Sequence, residues 1–205
     1  MNIAVTKQAR IVTTGNTNAS NYWLACHGYG ELVPYFIKKF TSLSNNHFVV
    51  APEGLNRFYL NGFSGRVGAN WMTKEDRMLD IDTNNKYLTQ VYNTYPFQEK
   101  TFIAFGFSQG TETLSRWLVS QNLAPKAIIL WGNALPEDIS PTCTALWKQS
   151  KIYFVVGNKD SFITPERLTL KKVIFEQHQL TYELIEYDGE HKIYPAVLNN
   201  IVAAL

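Results

Sequence analysis

The chain has 205 residues, of which 45% are hydrophobic and 18% charged, with a formal net charge of +2. This balance excludes a disordered or low-complexity chain and suits a single domain, residues 1–205, with a sizeable core. The mild charge, with Lys and Arg unclustered, gives no case for nucleic acid or an anionic membrane surface. Met1 to Thr14 lacks the apolar run of a signal peptide, and no stretch approaches the ~18 apolar residues of a membrane span. A soluble, cytoplasmic protein with no integral membrane segment is therefore expected. Cys26 and Cys143 lie in apolar stretches without C-x-x-C spacing or a nearby His pair, so they read as free, buried thiols, and neither a metal nor any other cofactor is called for.

In chain order, Ile3–Thr6 and Arg10–Thr14 read as a short opening pair of strands, followed by a polar loop from Gly15 to Asn21. Tyr22–Cys26 is an apolar strand ending at His27-Gly28-Tyr29-Gly30. Glu31–Phe40 has a helical pattern, with Pro34 tolerated in its first turn. His47–Ala51 is the next strand. Glu53 to Arg77 then reads as one long irregular segment rich in aromatics, a kind of loop that is functional or disordered in compact domains, and here too aromatic for disorder. A helix follows over Leu79–Tyr95, then a buried strand, Thr101–Phe105, and a helix carrying Leu114, Trp117 and Leu118 on one stripe. The alternation continues with strand Ala127–Trp131, a short helical stretch over Pro141–Trp147, strand Ile152–Val156, helix Pro165–Gln177, strand Tyr182–Tyr187 and a final helix from Tyr194 to Leu205. Strands separated by helices imply a mostly parallel sheet covered on both faces, with its ligand site at the carboxyl ends of the strands.

Between the Thr101–Phe105 strand and the helix after it lies Gly106-Phe107-Ser108-Gln109-Gly110, a G-x-S-x-G pattern in the strand-turn-helix setting of a nucleophile elbow. Ser108 is the candidate nucleophile. A serine needs a base and a carboxylate to orient that base, and in hydrolases of this architecture the chain order is Ser, acid, His. Asp160, after one strand end, and His191, after another, satisfy that order. Asp188 is the rival acid and Asp138 a more distant one, whereas His27, His47 and His178 have contexts that suit structural roles. The oxyanion hole requires backbone N–H groups from the residue after the nucleophile, Gln109, and from the HGYG loop, where Tyr29 is the candidate. Such a site treats all acyl groups alike, so selectivity is assigned to the aromatic segment, with Tyr59, Phe63, Trp71 and Met72 as candidate substrate-binding residues. The same residues equally fit a small core packed beneath a loop.

Together, HGYG, the APEG of Ala51 to Gly54, the Trp71 loop, GFSQG, the GNKD of Gly157 to Asp160 and the GEH of Gly189 to His191 resemble the phospholipase/carboxylesterase family of α/β-hydrolases, which includes acyl-protein thioesterases and small bacterial carboxylesterases. The resemblance implies an α/β-hydrolase fold with a mostly parallel central sheet, helices on both faces and no large lid domain. It also implies an esterase or thioesterase with triad Ser108, Asp160 and His191 and an oxyanion hole at Tyr29 and Gln109. Two departures stand out: Thr111 where the family often has a second glycine, and Met72-Thr73 where its tryptophan is commonly followed by Phe-Asp. The expected activity is hydrolysis of a small-molecule ester or thioester through an acyl-enzyme, with short to medium acyl chains favoured. A serine peptidase of the same fold and a catalytically silent binding protein are the alternatives. Oligomeric state is left open, a homodimer being compatible.

Overall fold

The computed structural model describes residues 3, 5–43 and 46–205. Among the described residues nine strands occur in chain order: β1 (Ile11–Gly15), β2 (Asn21–Cys26), β3 (His47–Pro52), β4 (Asn56–Tyr59), β5 (Val67–Asn70), β6 (Thr101–Phe107), β7 (Ala127–Trp131), β8 (Lys151–Gly157) and β9 (Glu183–Tyr187). Seven of them form one sheet, in the order β1-β3-β2-β6-β7-β8-β9, while β4 and β5 make a separate antiparallel hairpin. Within the large sheet only the β1–β3 pair is antiparallel.

The inner strands are buried on both faces, which is why they read as unbroken apolar runs rather than as alternating patterns. In β6, Phe102 and Ala104 point to one layer, and Ile103, Phe105 and Phe107 to the other. The helices that cover these layers are α1 (Val33–Phe36, continued by a 3-10 turn to Phe40), α2 (Arg77–Thr94), α3 (Gln109–Ser120), α4 (Pro165–Gln177) and α5 (Pro195–Ala203). On one face, Leu88 and Val91 of α2, Leu114 and Trp117 of α3 and Phe175 of α4 pack on the sheet. On the other, Phe36 of α1 and Leu198 and Ile201 of α5 do so. From β2 the chain moves outward to β3, and from β6 it moves the opposite way through β7, β8 and β9. The loops after β2 and β6 therefore diverge and open a crevice at the carboxyl ends of these strands.

Several expectations are corrected. Among the described residues no strand precedes Ile11, and Ile3 and Val5 are exposed; Ala4, within the expected Ile3–Thr6 strand, lies outside the described residues. The Glu31–Phe40 helix is reduced to one α turn and one 3-10 turn. The segment from Glu53 to Arg77 is not wholly irregular, because it contains the β4–β5 hairpin. Cys143 is exposed, whereas Cys26 is buried, and burial pushes the Cys26 thiol well above its ordinary range. Among the described residues no helix is long and apolar enough to cross a membrane, and no three His, Cys, Asp or Glu side chains gather as a metal site would need.

Candidate active site

Ser108 occupies the turn between β6 and α3 with φ 51° and ψ −118°. A non-glycine residue held there costs on the order of 1–3 kcal/mol, so the surroundings must enforce it. Its N–H donates to Trp131 O at 2.8 Å, and its carbonyl accepts from Thr111 N at 3.0 Å and from Thr111 Oγ1 at 2.8 Å. Thr111 is fully buried and its hydroxyl also lies 3.1 Å from Ala134 O, so it fastens the elbow to the turn after β7. The flanking glycines permit close approach. A Cβ on Gly106 would lie 2.5 Å from Thr111 Cα, and one on Gly110 2.2 Å from Cys26 O. Any side chain at either position would push α3 away from β6 or β2.

Asp160 follows β8 and His191 follows β9, and the parallel pairing of these strands brings the two loops together. His191 Nδ1 lies 2.5 Å from Asp160 Oδ2, while Asp160 Oδ1 accepts from the amides of Phe162 at 2.8 Å and Ile163 at 3.2 Å. The Asp160 side chain is fully buried, and these donors compensate its lost hydration. With Asp160 Oδ2 as the acceptor, Nδ1 is the donor and Nε2 carries the ring's lone pair. The rings of Phe107 and Phe162 both pack against the imidazole, their centroids 4.9 and 4.8 Å away. Gly132, at φ +70°, leaves the imidazole clear, since a Cβ there would stand 2.7 Å from His191 Cε1. Ser108 and His191 line the same cavity, of about 390 Å³.

The other candidates are engaged elsewhere. Asp188 is 71% exposed and pairs with Lys159 at 2.7 Å, which holds its carboxyl below the usual range. Asp138 pairs with Arg116 and Arg77. His47 Nδ1 accepts from Trp23 Nε1 at 2.9 Å, and His178 Nδ1 lies 2.8 Å from Thr144 Oγ1. Burial pushes His27, His47 and His178 below the ordinary imidazole range, so all three are neutral near pH 7.

Within the Gly28-Tyr29-Gly30 turn after β2, one backbone donor is spare. Gly28 N–H donates to Glu31 Oε2 at 3.0 Å and Gly30 N–H to Ala69 O at 2.8 Å, but among the described residues no acceptor meets Tyr29 N–H. Gln109 opens α3, where an N–H has no intrahelical partner. His27 underpins the loop: its Nδ1 donates to Gly28 O at 2.7 Å and its Nε2 accepts from Gly54 N at 2.8 Å. That pairing assigns its tautomer.

The aromatic segment is placed differently from its expected role. Trp71 is fully buried, donates from Nε1 to His27 O at 2.8 Å, and has its backbone N–H and the Met72 carbonyl bound by the Gln109 amide at 3.0 and 2.8 Å. Met72 is likewise buried, next to Arg116. Tyr59 is half exposed, and Phe63, between β4 and β5, is 98% exposed. None of the four lines the cavity shared by Ser108 and His191. Its walls are Gly132, Asn133 and Glu137 after β7, Phe162 and Ile163 after Asp160, and Arg167, Leu170 and Lys171 on α4. Phe162 was within reach of sequence reasoning, being two residues beyond the candidate acid. The α4 residues carried no such signal, because exposed helical side chains give no indication of what they face.

No protein-family model matches the sequence, nor does any curated protein. Solved structures do match in fold. The acyl-protein thioesterase 2 of Zea mays superposes with a TM-score of 0.75 at 14% identity, over 96% of this chain and 97% of its own. A phospholipase/carboxylesterase from Dyadobacter fermentans gives 0.66 at 17% identity, over 98% and 100%. The Bacillus cereus carboxylesterase gives 0.66 at 13% identity, over 96% and 92%. The described residues have the α/β-hydrolase fold, with no large additional domain among them.

Proposed function

We propose that the protein is a serine hydrolase that cleaves carboxylic esters or thioesters through an acyl-enzyme. The observation that carries this reading is that Ser108, on its strained turn, and His191 line one cavity, while the buried Asp160 lies 2.5 Å from His191 Nδ1. In this reading His191 Nε2 takes the Ser108 proton as Oγ attacks the substrate carbonyl. Asp160 stabilises the imidazolium, and the proton passes to the leaving oxygen or sulfur as the tetrahedral intermediate collapses. Water then enters and repeats the cycle on the acyl-serine. Tyr29 and Gln109 N–H donate to the oxyanion, a pair of contacts in which removal of one donor typically costs about 10²–10³ in kcat.

The named activities of the structural neighbours, acyl-protein thioesterase and carboxylesterase, support the same reading. A cavity of about 390 Å³ suits a small ester, and Trp71, packed on His27, adds no acyl pocket to it, so short to medium acyl chains are the expected substrates. The test is a panel of p-nitrophenyl esters and acyl thioesters of graded length, with Ser108→Ala as the control. Turnover of the short esters that vanishes in the variant supports the reading. Failure to hydrolyse any of them refutes it.

A further inference from the structure

The cavity beside Ser108 is unlike a plain acyl pocket. Arg167 and Lys171 stand at i and i+4 on α4, hence on one face of that helix, and both line the space that holds Ser108 and His191. Among the described residues neither forms an ion pair. Arg167 uses only Nη1, on Phe162 O at 3.0 Å, and the rest of its guanidinium fork is uncommitted. The one acidic residue on the wall is Glu137, which among the described residues has no salt-bridge partner either. Two cations against one carboxylate leave the wall net positive.

The position of this wall says which part of a substrate it meets. A general base returns its proton to the leaving atom, so the leaving group departs on the imidazole side. The cavity is bounded by His191, by Phe162 packed on that ring and by α4, and not by the oxyanion candidates Tyr29 and Gln109. From this arrangement the geometry points to a substrate whose alcohol or thiol portion carries a carboxylate or phosphate, held by Arg167 and Lys171 while its aliphatic or aromatic part lies on Phe162 and Leu170. Arg167 supplies a fork that matches either anion and Lys171 a point charge. This inference deepens the esterase reading and rests on it for the reaction, though not for the binding of the anion.

The test compares butyrate esters of 3-hydroxybenzoate and 3-hydroxybenzamide, which have nearly the same shape and differ in the charge of the leaving group. The wild-type enzyme is expected to favour the anionic ester in kcat/KM by about tenfold or more at low ionic strength, and high salt should shrink that ratio. Arg167→Gln with Lys171→Gln should bring the ratio toward one, Arg167→Lys should restore part of it, and Glu137→Gln, which removes the opposing charge, should raise it. A second arm places the carboxylate on the acyl side, using p-nitrophenyl monoesters of adipate and their terminal amides. A ratio near one for the leaving-group pair, or an anionic preference confined to the acyl pair, overturns the proposal. If no ester is hydrolysed, the esterase reading fails by itself. The anion site is then decided by NMR titration with 3-hydroxybenzoate, whose binding should perturb α4 amides and be lost in the double variant; an unchanged spectrum overturns it.

Discussion

The replacement Asp160→Asn isolates one proton. Asp160 Oδ1 receives two backbone N–H groups, those of Phe162 and Ile163, so an asparagine must turn its own carbonyl oxygen toward them. The opposite rotamer would set an NH₂ against two donors inside a fully buried site, at a cost of about 1–3 kcal/mol for each unpaired group. The NH₂ is therefore forced onto His191 Nδ1, which can meet it only as an acceptor, with its proton moved to Nε2. Nε2 then has no lone pair for Ser108. Where a buried triad aspartate has been changed in this way the loss in kcat is about 10⁴, equivalent to about 5 kcal/mol of transition-state stabilisation. The assay is steady-state hydrolysis of p-nitrophenyl acetate near neutral pH, with circular dichroism to show that the fold persists. Asp188→Asn serves as the comparison, since its exposed pair with Lys159 contributes little and kcat should change by less than about threefold. Asp160→Asn that keeps more than a tenth of wild-type kcat, or an Asp188→Asn loss of similar size, would refute the tautomer argument.

Further outcomes follow from packing and burial. Gly132→Ala should leave the protein folded but lower kcat about 10²-fold for every ester, because a Cβ 2.7 Å from His191 Cε1 must displace the ring; an unchanged kcat would contradict that contact. Trp71→Ala should destabilise the protein by about 3–5 kcal/mol in urea unfolding, because it empties a fully buried site and orphans the His27 carbonyl; a selective change in acyl-length preference with unchanged stability would return Trp71 to a pocket role. Acid should weaken the fold. His27, His47 and His178 have folded pKa values pushed below the 6.5 of an ordinary imidazole, so below that pH the unfolded chain binds more protons and stability falls as pH drops. The slope between pH 6 and 5 approaches at most about 1.4 kcal/mol per pH unit for each histidine, measured as urea midpoints, and a stability independent of pH there would contradict the neutral assignments.

Ser108, Asp160 and His191 were legible as candidates because each stands just past an apolar run, and a parallel sheet gathers such positions at one end. The hydrogen bond between Asp160 and His191 then follows from the pairing of β8 with β9. Asp160 led Asp188 already in the sequence, although Asp188 is nearer to His191 along the chain, and burial separates the two: the Asp160 side chain is buried beside His191, whereas Asp188 is exposed and paired with Lys159. The β4–β5 hairpin was hidden because Asn56–Tyr59 and Val67–Asn70 are short and lie among the asparagines and glycines that mark loops. Trp71 was ambiguous for a physical reason: an aromatic residue in a loop has the same composition whether it faces a ligand or His27. The cationic wall was illegible, because the spacing of Arg167 and Lys171 marks a helix face without showing that Ser108 lies across from it.

Covalent labelling with a fluorophosphonate tests most directly whether Ser108 is the activated nucleophile. The account predicts a single adduct on the intact protein, mapped by peptide mass spectrometry to Ser108. The adduct should be absent from Ser108→Ala and formed far more slowly in Asp160→Asn. An adduct on another residue, or a Ser108→Ala protein that still labels and still turns over esters, would contradict the account.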